Sequence, residues 1–381
     1  MSKILILGDG IFSLLCAIAF SKLGYFVFIV KEKKNCHSLK QSSRTLALTP
    51  ATKDFLSKLE IWDEISEYVS YIKDIYVIDN MSNNMISFDC KLSKKDQIGF
   101  VIQNQDLYNI LISRVIANNK IKIVEAENIR IEDSESEMTK IFIDEKEEIF
   151  VKLVLINISN NSQIHKRYFI EHKTIDYKQI ALTFLVKHEN CHEGTAVEHF
   201  FSTGPFAILP LKDPNVSSVI WSVDLEYAKS LKSLEINILK QIVQTKFGDF
   251  LGKIDIISDM ESFHLKGYLC KNYFNGNLLA FGSGLHLIHP LAGQGLNLSI
   301  KDLEVLYGIV SSEEISKEKI ADFCSQRYQD NLDMFIIINW INKIFSNNSK
   351  ILYLIRQLGF KIINKSSFLK NKIVNYAMGY R

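Results

Sequence analysis

The sequence predicts an α/β protein with an α+β insert and a helical C-terminus. The first observation is a strand, a glycine turn, a helix and a second strand within residues 3–32. The second is a β-rich stretch at 176–265, followed by a buried strand and another glycine turn at 277–295. The third is helical periodicity from residue 313 to the end. An α/β domain interrupted by a β-rich domain accounts for this order.

The opening motif predicts a Rossmann-like βαβ unit. Residues 3–7, KILIL, form a short apolar run, typical of a strand buried on both faces of a parallel sheet. Gly8, Gly10 and Ser13 then occupy the positions of a GxGxxG fingerprint before a helix and the strand at 25–30. Gly8 permits a tight turn, and Gly10 lets a pyrophosphate approach the helix N-terminus. These three residues are therefore predicted to bind a dinucleotide.

The end of the second strand departs from this fingerprint. Such units place an acidic residue there, which accepts hydrogen bonds from the ribose. Lys31 stands at the expected place, and Glu32 follows it. Because strand side chains alternate between faces, Glu32 takes the ribose position only if the strand ends or shifts by one residue. Glu32 is a candidate cofactor contact on that condition.

Composition excludes several classes of protein. With 47% hydrophobic and 23% charged residues, the chain is not disordered. A net charge of +2 supplies no field for nucleic acid, so no nucleic-acid partner is predicted. The six cysteines lie far apart without a CxxC pair, which indicates free thiols in a reducing compartment. No apolar run in residues 3–30 reaches about 18 residues, so we expect a cytoplasmic protein without a membrane span.

One string resembles a metal site. Residues 188–192, HENCH, match the zincin pattern HExxH, which needs both histidines on one face of a helix. Here the string follows the strand IALTFLV and runs into a glycine, so it is predicted to lie in a loop. No metal site is predicted.

A second glycine-rich segment occupies residues 281–299. Gly282 and Ser283 follow a predicted strand. Downstream, four residues open a predicted helix: Gly293, Gln294, Gly295 and Asn297. A second helix N-terminus with glycines can hold another anionic or electron-rich group. We therefore count all six among the candidate cofactor-binding residues.

Several segments together resemble one family. HPLAGQGLNL at 289–298 is similar to the GDAxHxxHPxxGQGxN signature of group A FAD-dependent aromatic hydroxylases, most closely those of ubiquinone biosynthesis, the UbiH/UbiF type. Further similar segments are GDGIFS at 8–13, RTLALTP at 44–50, GFVIQNQDL at 99–107, GPFAILPL at 204–211 and DNLDM at 330–334. The resemblance extends over nearly the whole chain.

The resemblance implies an oxidoreductase, a flavoprotein monooxygenase that binds FAD. It would use NAD(P)H and O2 to hydroxylate a phenolic or prenylated ring in ubiquinone biosynthesis. Arg44, Gln105, which stands at a family arginine, and Ser283, at a family aspartate, would contact the cofactor. Pro290 would lie against the flavin ring and His289 would face the substrate, so both are catalytic candidates.

The resemblance also divides the chain. Residues 1–70, 95–175 and 266–330 would form a discontinuous FAD-binding domain. Residues 71–94 and 176–265 would form the substrate domain, with a C-terminal helical region at 331–381.

An alternative stays open, because some family residues are replaced. Lys31 stands at the ribose-binding acid, and Ile158 stands at the aspartate of the family's ADGANS motif. In the alternative, the chain keeps the fold without redox chemistry and acts as a partner in a quinone-synthesis assembly.

The C-terminal region is basic. No acidic residue follows Asp333, whereas eight lysines and arginines lie between Lys343 and Arg381 among apolar residues. A basic amphipathic helix suits an anionic membrane surface. We expect peripheral contact with the inner face of a membrane; the alternative is a helix packed on the protein with a solvated basic face.

Overall fold

A computed structural model describes residues 2–33, 42–82, 84–90, 96–132, 137–158, 162–169, 171–311 and 314–380. Cys36 and residues 159–161 lie outside the described residues. The strands are β1 Lys3–Leu7, β2 Phe26–Glu32, β3 Thr45–Leu48, β4 Ser70–Ile72, β5 Asp74–Asp79, β6 Asn84–Asp89, β7 Gly99–Gln103, β8 Ile121–Ala126, β9 Ile129–Glu132, β10 Thr139–Ile143, β11 Glu147–Val151, β12 Leu153–Ile156, β13 His172–His188, β14 Thr195–Phe201, β15 Gly204–Pro210, β16 Val216–Asp224, β17 Ile254–Ile256, β18 Glu261–Cys270, β19 Phe274–Asn275, β20 Leu278–Ala280 and β21 His286–Leu287. The helices are α1 Ile11–Lys22, α2 Pro50–Lys58, α3 Trp62–Ser66, α4 Asn104–Ile116, α5 Gln163–Tyr168, α6 Leu225–Lys232, α7 Ile236–Phe247, α8 Gln294–Val310, α9 Lys317–Phe345, α10 Lys350–Lys365 and α11 Ser367–Ala377.

The first layer is a six-stranded sheet in the order β19-β20-β12-β1-β2-β8. Strand β1 pairs in parallel with both β2 and β12. Ile4, Leu5 and Ile6 are completely buried, as the unbroken apolar run of β1 requires of a strand covered on both faces. The predicted βαβ unit is present, with α1 connecting β1 to β2.

The second layer is a nine-stranded sheet in the order β21-β18-β13-β16-β15-β14-β5-β6, with β17 beside β13. Its outer face packs on α6 and α7 through a buried cluster that includes Trp221 and Val243. Its other face, called the inner face below, is covered in part by α9, where Phe345 stacks on Phe200 at 4.0 Å. Glu198 lies on the inner face, because it alternates with Val197 of the outer cluster. The domain boundaries predicted from the sequence stay a prediction.

A buried polar network joins α8 to α9. Asp302 accepts a hydrogen bond from Arg327 Nε at 2.7 Å, and its other oxygen lies 2.7 Å from His286 Nε2. Both partners are almost inaccessible to solvent. The ion pair and the histidine lower the pKa of the Asp302 carboxyl although burial opposes them. This network fixes the chain segment that leads into the second glycine turn.

The C-terminal helices pack against the nine-stranded sheet. In α10, Arg356 forms a buried ion pair with Asp79 of β5 at 3.2 Å, and Phe360 is also buried. No helix in the described ranges combines the length and the hydropathy that crossing a bilayer requires.

Candidate cofactor site

The first glycine turn (residues 8–13) and the bend at 282–284, where the second glycine-rich segment begins, meet at Asn157, which directly follows β12. Its Nδ2 donates to Ser13 Oγ at 2.8 Å, in the first turn of α1. Its Oδ1 accepts from the backbone N–H and the hydroxyl of Ser283, at 2.8 and 2.9 Å. Asn157 therefore connects both turns at the carboxyl edge of the parallel sheet, where α/β proteins bind ligands.

Two glycines make this close approach possible. A Cβ on Gly282, whose φ is +54°, would lie 2.3 Å from Phe12 Cδ1 and 2.5 Å from Asn157 Oδ1. A Cβ on Gly8, whose φ is +107°, would lie 2.4 Å from the Asn157 carbonyl oxygen. Both glycines are required by contacts within the protein. Gly282 thus serves to bring the turns together, and its prediction as a direct cofactor contact stays untested.

Gly10 differs from those two positions, because space is open beside it. A Cβ at Gly10 would meet no atom of the described residues within 4 Å, and Gly10 is exposed. Gly10 is also the N-cap residue of α1, and no side chain caps that helix. An uncapped helix N-terminus next to open space fits the pyrophosphate of a dinucleotide.

The end of β2 places Lys31, and not Glu32, beside the first turn. Lys31 Nζ lies 3.9 Å from Asp9 Oδ2 and 3.7 Å from Glu125 Oε1. Strand β2 continues without a register shift through Glu32, which pairs with Ala126 of β8. Glu32 therefore points to the opposite face. The condition set for Glu32 as the ribose contact is not met, because the strand neither ends nor shifts before it; a direct contact of Glu32 with the cofactor stays an untested prediction.

The second turn opens α8 at Gly293. This residue is left-handed, with φ +61°, and a Cβ on it would lie 2.7 Å from Ala47 Cβ. No side chain caps α8, and the nearest atom to a Cβ on Gly295 is Ile288 Cγ1 at 4.0 Å. The predicted glycine-rich helix start is thus a second open helix N-terminus.

Asn297 and Gln294 hold the second turn in place. Asn297 Oδ1 accepts from Thr49 N at 2.9 Å, and Nδ2 donates to the carbonyl oxygens of Ala47 and Gly293 at 2.8 and 2.9 Å. Gln294 Nε2 donates to Ala377 O at 3.3 Å. Because both its amide oxygen and its amide nitrogen bond to protein atoms, Asn297 positions the turn. Its prediction as a direct cofactor contact stays a prediction.

Gln105 presents an unsatisfied polar atom near the start of α4. Its Nε2 donates to Asn109 Oδ1 at 3.0 Å. Its Oε1 is buried and has no hydrogen-bond partner within the described part of the chain. Buried polar oxygens in folded proteins nearly always have a partner, so this atom fits a contact to a bound group.

Arg44 lies between the two layers. Its guanidinium stacks on the Phe263 ring at 3.7 Å and lies 3.9 Å from Glu261 Oε2. Burial lowers the pKa of Arg44, and the Glu261 carboxylate opposes that shift. The side chain thus contacts strand β18 of the nine-stranded sheet while it stays 46% exposed.

His289 and Pro290 immediately precede the second turn. His289 is fully buried, its Nδ1 accepts from Leu291 N at 3.3 Å, and burial lowers its pKa to about 4. Its Nε2 lacks a partner among the residues that the structure describes. Pro290 O accepts from Gly293 N at 2.9 Å, which closes the turn. A neutral imidazole at this place can exchange one hydrogen bond with a bound group.

The HENCH string lies where a zincin motif cannot form. Strand β13 ends at His188, and the following residues form a loop. His188 Nδ1 lies 2.7 Å from Asn190 O, and His192 Nε2 lies 2.8 Å from Leu211 O. In the described ranges, no group of three or more histidine, cysteine or acidic side chains is placed to hold a metal.

The site thus combines two open helix N-termini, one at each glycine turn, at the carboxyl edge of a parallel sheet. The model of the FAD binding domain family matches residues 1–313. The chain belongs to this family. The cofactor predicted from the sequence, FAD, is confirmed, and the uncapped turn at Gly10 and the unsatisfied Gln105 Oε1 fit it.

Curated relatives of this family member match over most of their length. Ubiquinone hydroxylase UbiL of Rhodospirillum rubrum is 25% identical over 387 residues, which cover 100% of this chain and 90% of the relative. The 3-demethoxyubiquinol 3-hydroxylase of Escherichia coli K12 is 24% identical, covering 99% of this chain and 98% of the relative. The predicted resemblance to hydroxylases of ubiquinone biosynthesis is confirmed.

Solved structures share the fold. The p-nitrophenol 4-monooxygenase PnpA of Pseudomonas putida superimposes with a TM-score of 0.78 at 14% identity, covering 100% of this chain and 99% of that one. Klebsiella pneumoniae HpxO, complexed with FAD and uric acid, gives a TM-score of 0.76 at 11% identity, covering 100% and 96%. These likenesses confirm the predicted α/β fold class.

Sequence reasoning missed Asn157 as a site residue. The signal available was its position at the carboxyl end of the apolar strand LVLI, at the edge where ligands bind. Its partners are 144 and 126 residues away in sequence, so no local pattern indicated the contact.

Proposed function

We propose that this protein is an FAD-dependent monooxygenase that hydroxylates a phenolic, prenylated ring in ubiquinone biosynthesis, with NAD(P)H and O2 as co-substrates. The observation that carries this proposal is the convergence of the first glycine turn and the 282–284 bend on Asn157. Relatives named ubiquinone hydroxylase and 3-demethoxyubiquinol 3-hydroxylase, which align with nearly the whole chain, support the substrate class.

The chain's residues have separable tasks in this reaction. The open N-terminus of α1 at Gly10 would hold the pyrophosphate, and Gln105 Oε1 would accept a hydrogen bond from the cofactor. The α8 N-terminus at Gly293–Gly295 would face the flavin pyrimidine, with Pro290 beside the ring. FAD held by these residues would supply the redox chemistry, namely hydride acceptance from NAD(P)H and activation of O2.

The nine-stranded sheet supplies the other wall. Arg44, stacked on Phe263, joins that sheet to the cofactor domain and limits water access from this side. Buried His289, which is neutral at physiological pH, would orient the bound group through its Nε2 without adding charge. Water exclusion and orientation are the protein's share of flavin chemistry.

Purified protein tests this proposal directly. It should carry stoichiometric flavin, with an absorption band near about 450 nm, and should oxidise NAD(P)H when a prenylated phenol is added. Mass spectrometry should then detect a product heavier by one oxygen atom. Colourless protein that cannot be loaded with FAD would support the alternative of a non-catalytic member of a quinone-synthesis assembly. Contact with other quinone-synthesis proteins stays a prediction.

We further propose that α10 contacts an anionic membrane surface. Its inward side is fixed by Arg356 and Phe360. Its outward side exposes an apolar stripe spaced as one helical face: Ile351 (72%), Leu354 (58%), Ile355 (49%), Leu358 (61%) and Ile362 (56%). Lysines flank this stripe, and the segment after Asp333 has no acid to oppose them. An apolar face with a basic border suits anionic lipid, the phase in which a prenylated substrate dissolves.

A further inference from the structure

We propose that Glu198 is the base that accepts the phenolic proton of the substrate. This inference rests on the proposed function and names a residue that would touch the reacting ring. Glu198 lies in the middle of β14, on the inner face of the nine-stranded sheet. Its placement, its apolar surroundings and its connection to the cofactor site carry the proposal.

The strand register places Glu198 in a row whose nearest members are uncharged. On one side it pairs with Val77 of β5. On the other side it pairs with Ala207 of β15, which pairs in turn with Ile220 of β16. Ile220 is paired with Thr183 of β13. Residues paired across a sheet point to the same face, so Glu198 stands beside an apolar strip that Ala207 and Ile220 form.

This strip remains accessible although it lies between layers. Glu198, Ala207, Leu209 and Ile220 are all partly exposed, whereas the alternating residues on the outer face, such as Phe206, are completely buried. No hydrogen bond or ion pair to Glu198 occurs within the described part of the chain. A carboxyl without a partner beside an accessible apolar strip is the arrangement of a ligand pocket, which is mostly apolar with few polar groups.

The inner face connects directly to the cofactor domain through β3. Thr45 Oγ1 donates to Ser218 Oγ at 2.9 Å, on strand β16 of the inner face. Two residues later, Ala47 contacts the second glycine turn at Gly293. Strand β14 is two strands from β16, so Glu198 lies about 10 Å across the sheet from this contact. That separation is comparable to the length of a substituted phenol.

The chemistry suits the residue. Burial raises the pKa of Glu198 to about 8, because its surroundings disfavour the carboxylate. As a carboxylate it accepts the phenol proton: the O–H bond breaks, its electron pair stays on the ring oxygen, and the proton binds a Glu198 oxygen. Phenols ionise near pH 10, so this raised pKa brings the two groups closer and favours transfer. The resulting phenolate is the electron-rich form that an oxygen electrophile attacks.

Two other carboxylates on the inner face of the sheet have their own partners. On the same face of β5, Asp79 pairs with Arg356 of α10. At the far end of the row, Glu261 of β18 lies beside Arg44 and accepts hydrogen bonds from Ser43. Glu198 is therefore a carboxyl within this strip that the described structure leaves available to a substrate.

The decisive variant is Glu198→Gln, which keeps the shape of the side chain but cannot accept a proton. We expect kcat for ring hydroxylation to fall about 10²- to 10⁴-fold, with FAD content and melting temperature unchanged. The alkaline rise of kcat/KM, with its midpoint near 8 in the wild-type protein, should disappear. Glu198→Asp should restore part of the rate. Glu226→Gln, at an 81% exposed side chain on α6, is the matched control and should behave as wild type.

Comparing two substrates, a phenol and its O-methyl ether, tests the role of the phenolic proton without changing the protein. Wild-type protein should hydroxylate the free phenol and not its O-methyl ether, which has no proton to transfer. Glu198→Gln should bind both compounds with similar affinity. The inference is overturned if Glu198→Gln retains wild-type kcat and its pH profile, or if the ether reacts as fast as the phenol. Wild-type protein that binds no FAD or hydroxylates neither compound would instead overturn the proposed function.

Discussion

Asn157 accepts two hydrogen bonds from Ser283, one from the backbone N–H at 2.8 Å and one from the hydroxyl at 2.9 Å. Ser283 stands where the related hydroxylases carry an aspartate. An aspartate there would place a carboxylate against the Asn157 oxygen, whereas a serine hydroxyl donates to it. The serine at 283 is therefore complemented by the Asn157 amide oxygen, which accepts its hydrogen bonds, and this explains how the turn keeps its shape without an aspartate.

Removing the Asn157 side chain should separate the turns. Asn157→Ala loses three hydrogen bonds to Ser13 and Ser283, so we expect stability to fall by about 1–3 kcal/mol and FAD affinity by about tenfold. Thermal unfolding and flavin fluorescence titration measure the two effects. Asn275→Ala, at an exposed residue of β19, is the control and should change neither. An unchanged FAD affinity in Asn157→Ala would show that the bridge does not shape the site.

Two glycine substitutions should have opposite effects on stability and binding. Gly10→Ala adds a methyl group to open space at a φ of −71°, so folding should be little affected while the pyrophosphate is obstructed. Gly282→Ala brings a methyl group within 2.3 Å of Phe12 and should destabilise the protein by about 1–3 kcal/mol. Melting curves with and without FAD separate the two. Normal FAD binding by Gly10→Ala would remove Gly10 from the phosphate site.

Lys31 should assist cofactor binding. Its ammonium lies 3.9 Å from Asp9 Oδ2, so it neutralises a carboxylate next to the phosphate-binding turn. In Lys31→Met we expect FAD affinity to fall about 2- to 5-fold, since partly exposed charge pairs contribute little. The loss should shrink at high salt. Lys33→Met, whose lysine pairs with Glu127 at 3.1 Å, is the control. Tighter FAD binding by Lys31→Met would mean that Lys31 obstructs the ribose.

Acid should destabilise the folded protein through His289. Burial lowers the pKa of this histidine from 6.5 to about 4. Between these values the unfolded chain binds a proton that the folded chain does not, so stability falls as the pH falls. The full effect is about 3 kcal/mol below pH 4. In His289→Gln, denaturant unfolding should therefore show a shallower decline from pH 6.5 to 4.

A matched variant isolates that effect. His264→Gln replaces an exposed histidine and should leave the acid slope unchanged. His199, whose pKa burial also lowers to about 4, keeps its own contribution in every variant. Equal slopes in His289→Gln and wild type would show that His289 is not buried in its neutral form.

The exposed stripe of α10 should be needed for lipid binding. Wild-type protein should sediment with anionic vesicles, less so at high salt, and not with zwitterionic ones. Leu358→Glu should reduce the bound fraction by about tenfold or more, because it replaces an exposed leucine that would insert into the lipid with a charge that anionic lipid repels. Ile236→Glu, at a 58% exposed isoleucine of α7, is the matched control. Absence of wild-type binding to anionic vesicles would contradict the membrane proposal.

The elements near the N-terminus were predictable because their signals are local. The run KILIL, the glycine fingerprint and the following helix are contiguous, and their burial follows from apolar periodicity alone. The second glycine turn was predictable for the same reason, since helix starts carry their own sequence pattern. Which of Lys31 and Glu32 faces the first glycine turn could not be predicted from the sequence, because this depends on whether β8 holds β2 in register through Glu32, the last residue of β2.

The sequence by itself determined the fold class, the family and two separate glycine turns. Only the tertiary structure decided that Asn157 joins these turns across 144 and 126 residues, and that Asn297 is held by protein atoms. It also decided that Glu198 lies on an apolar strip, where no described residue forms a hydrogen bond or ion pair with it. Turn and helix preferences arise from neighbours along the chain, whereas hydrogen-bond partners and desolvation arise from distant segments that folding brings together.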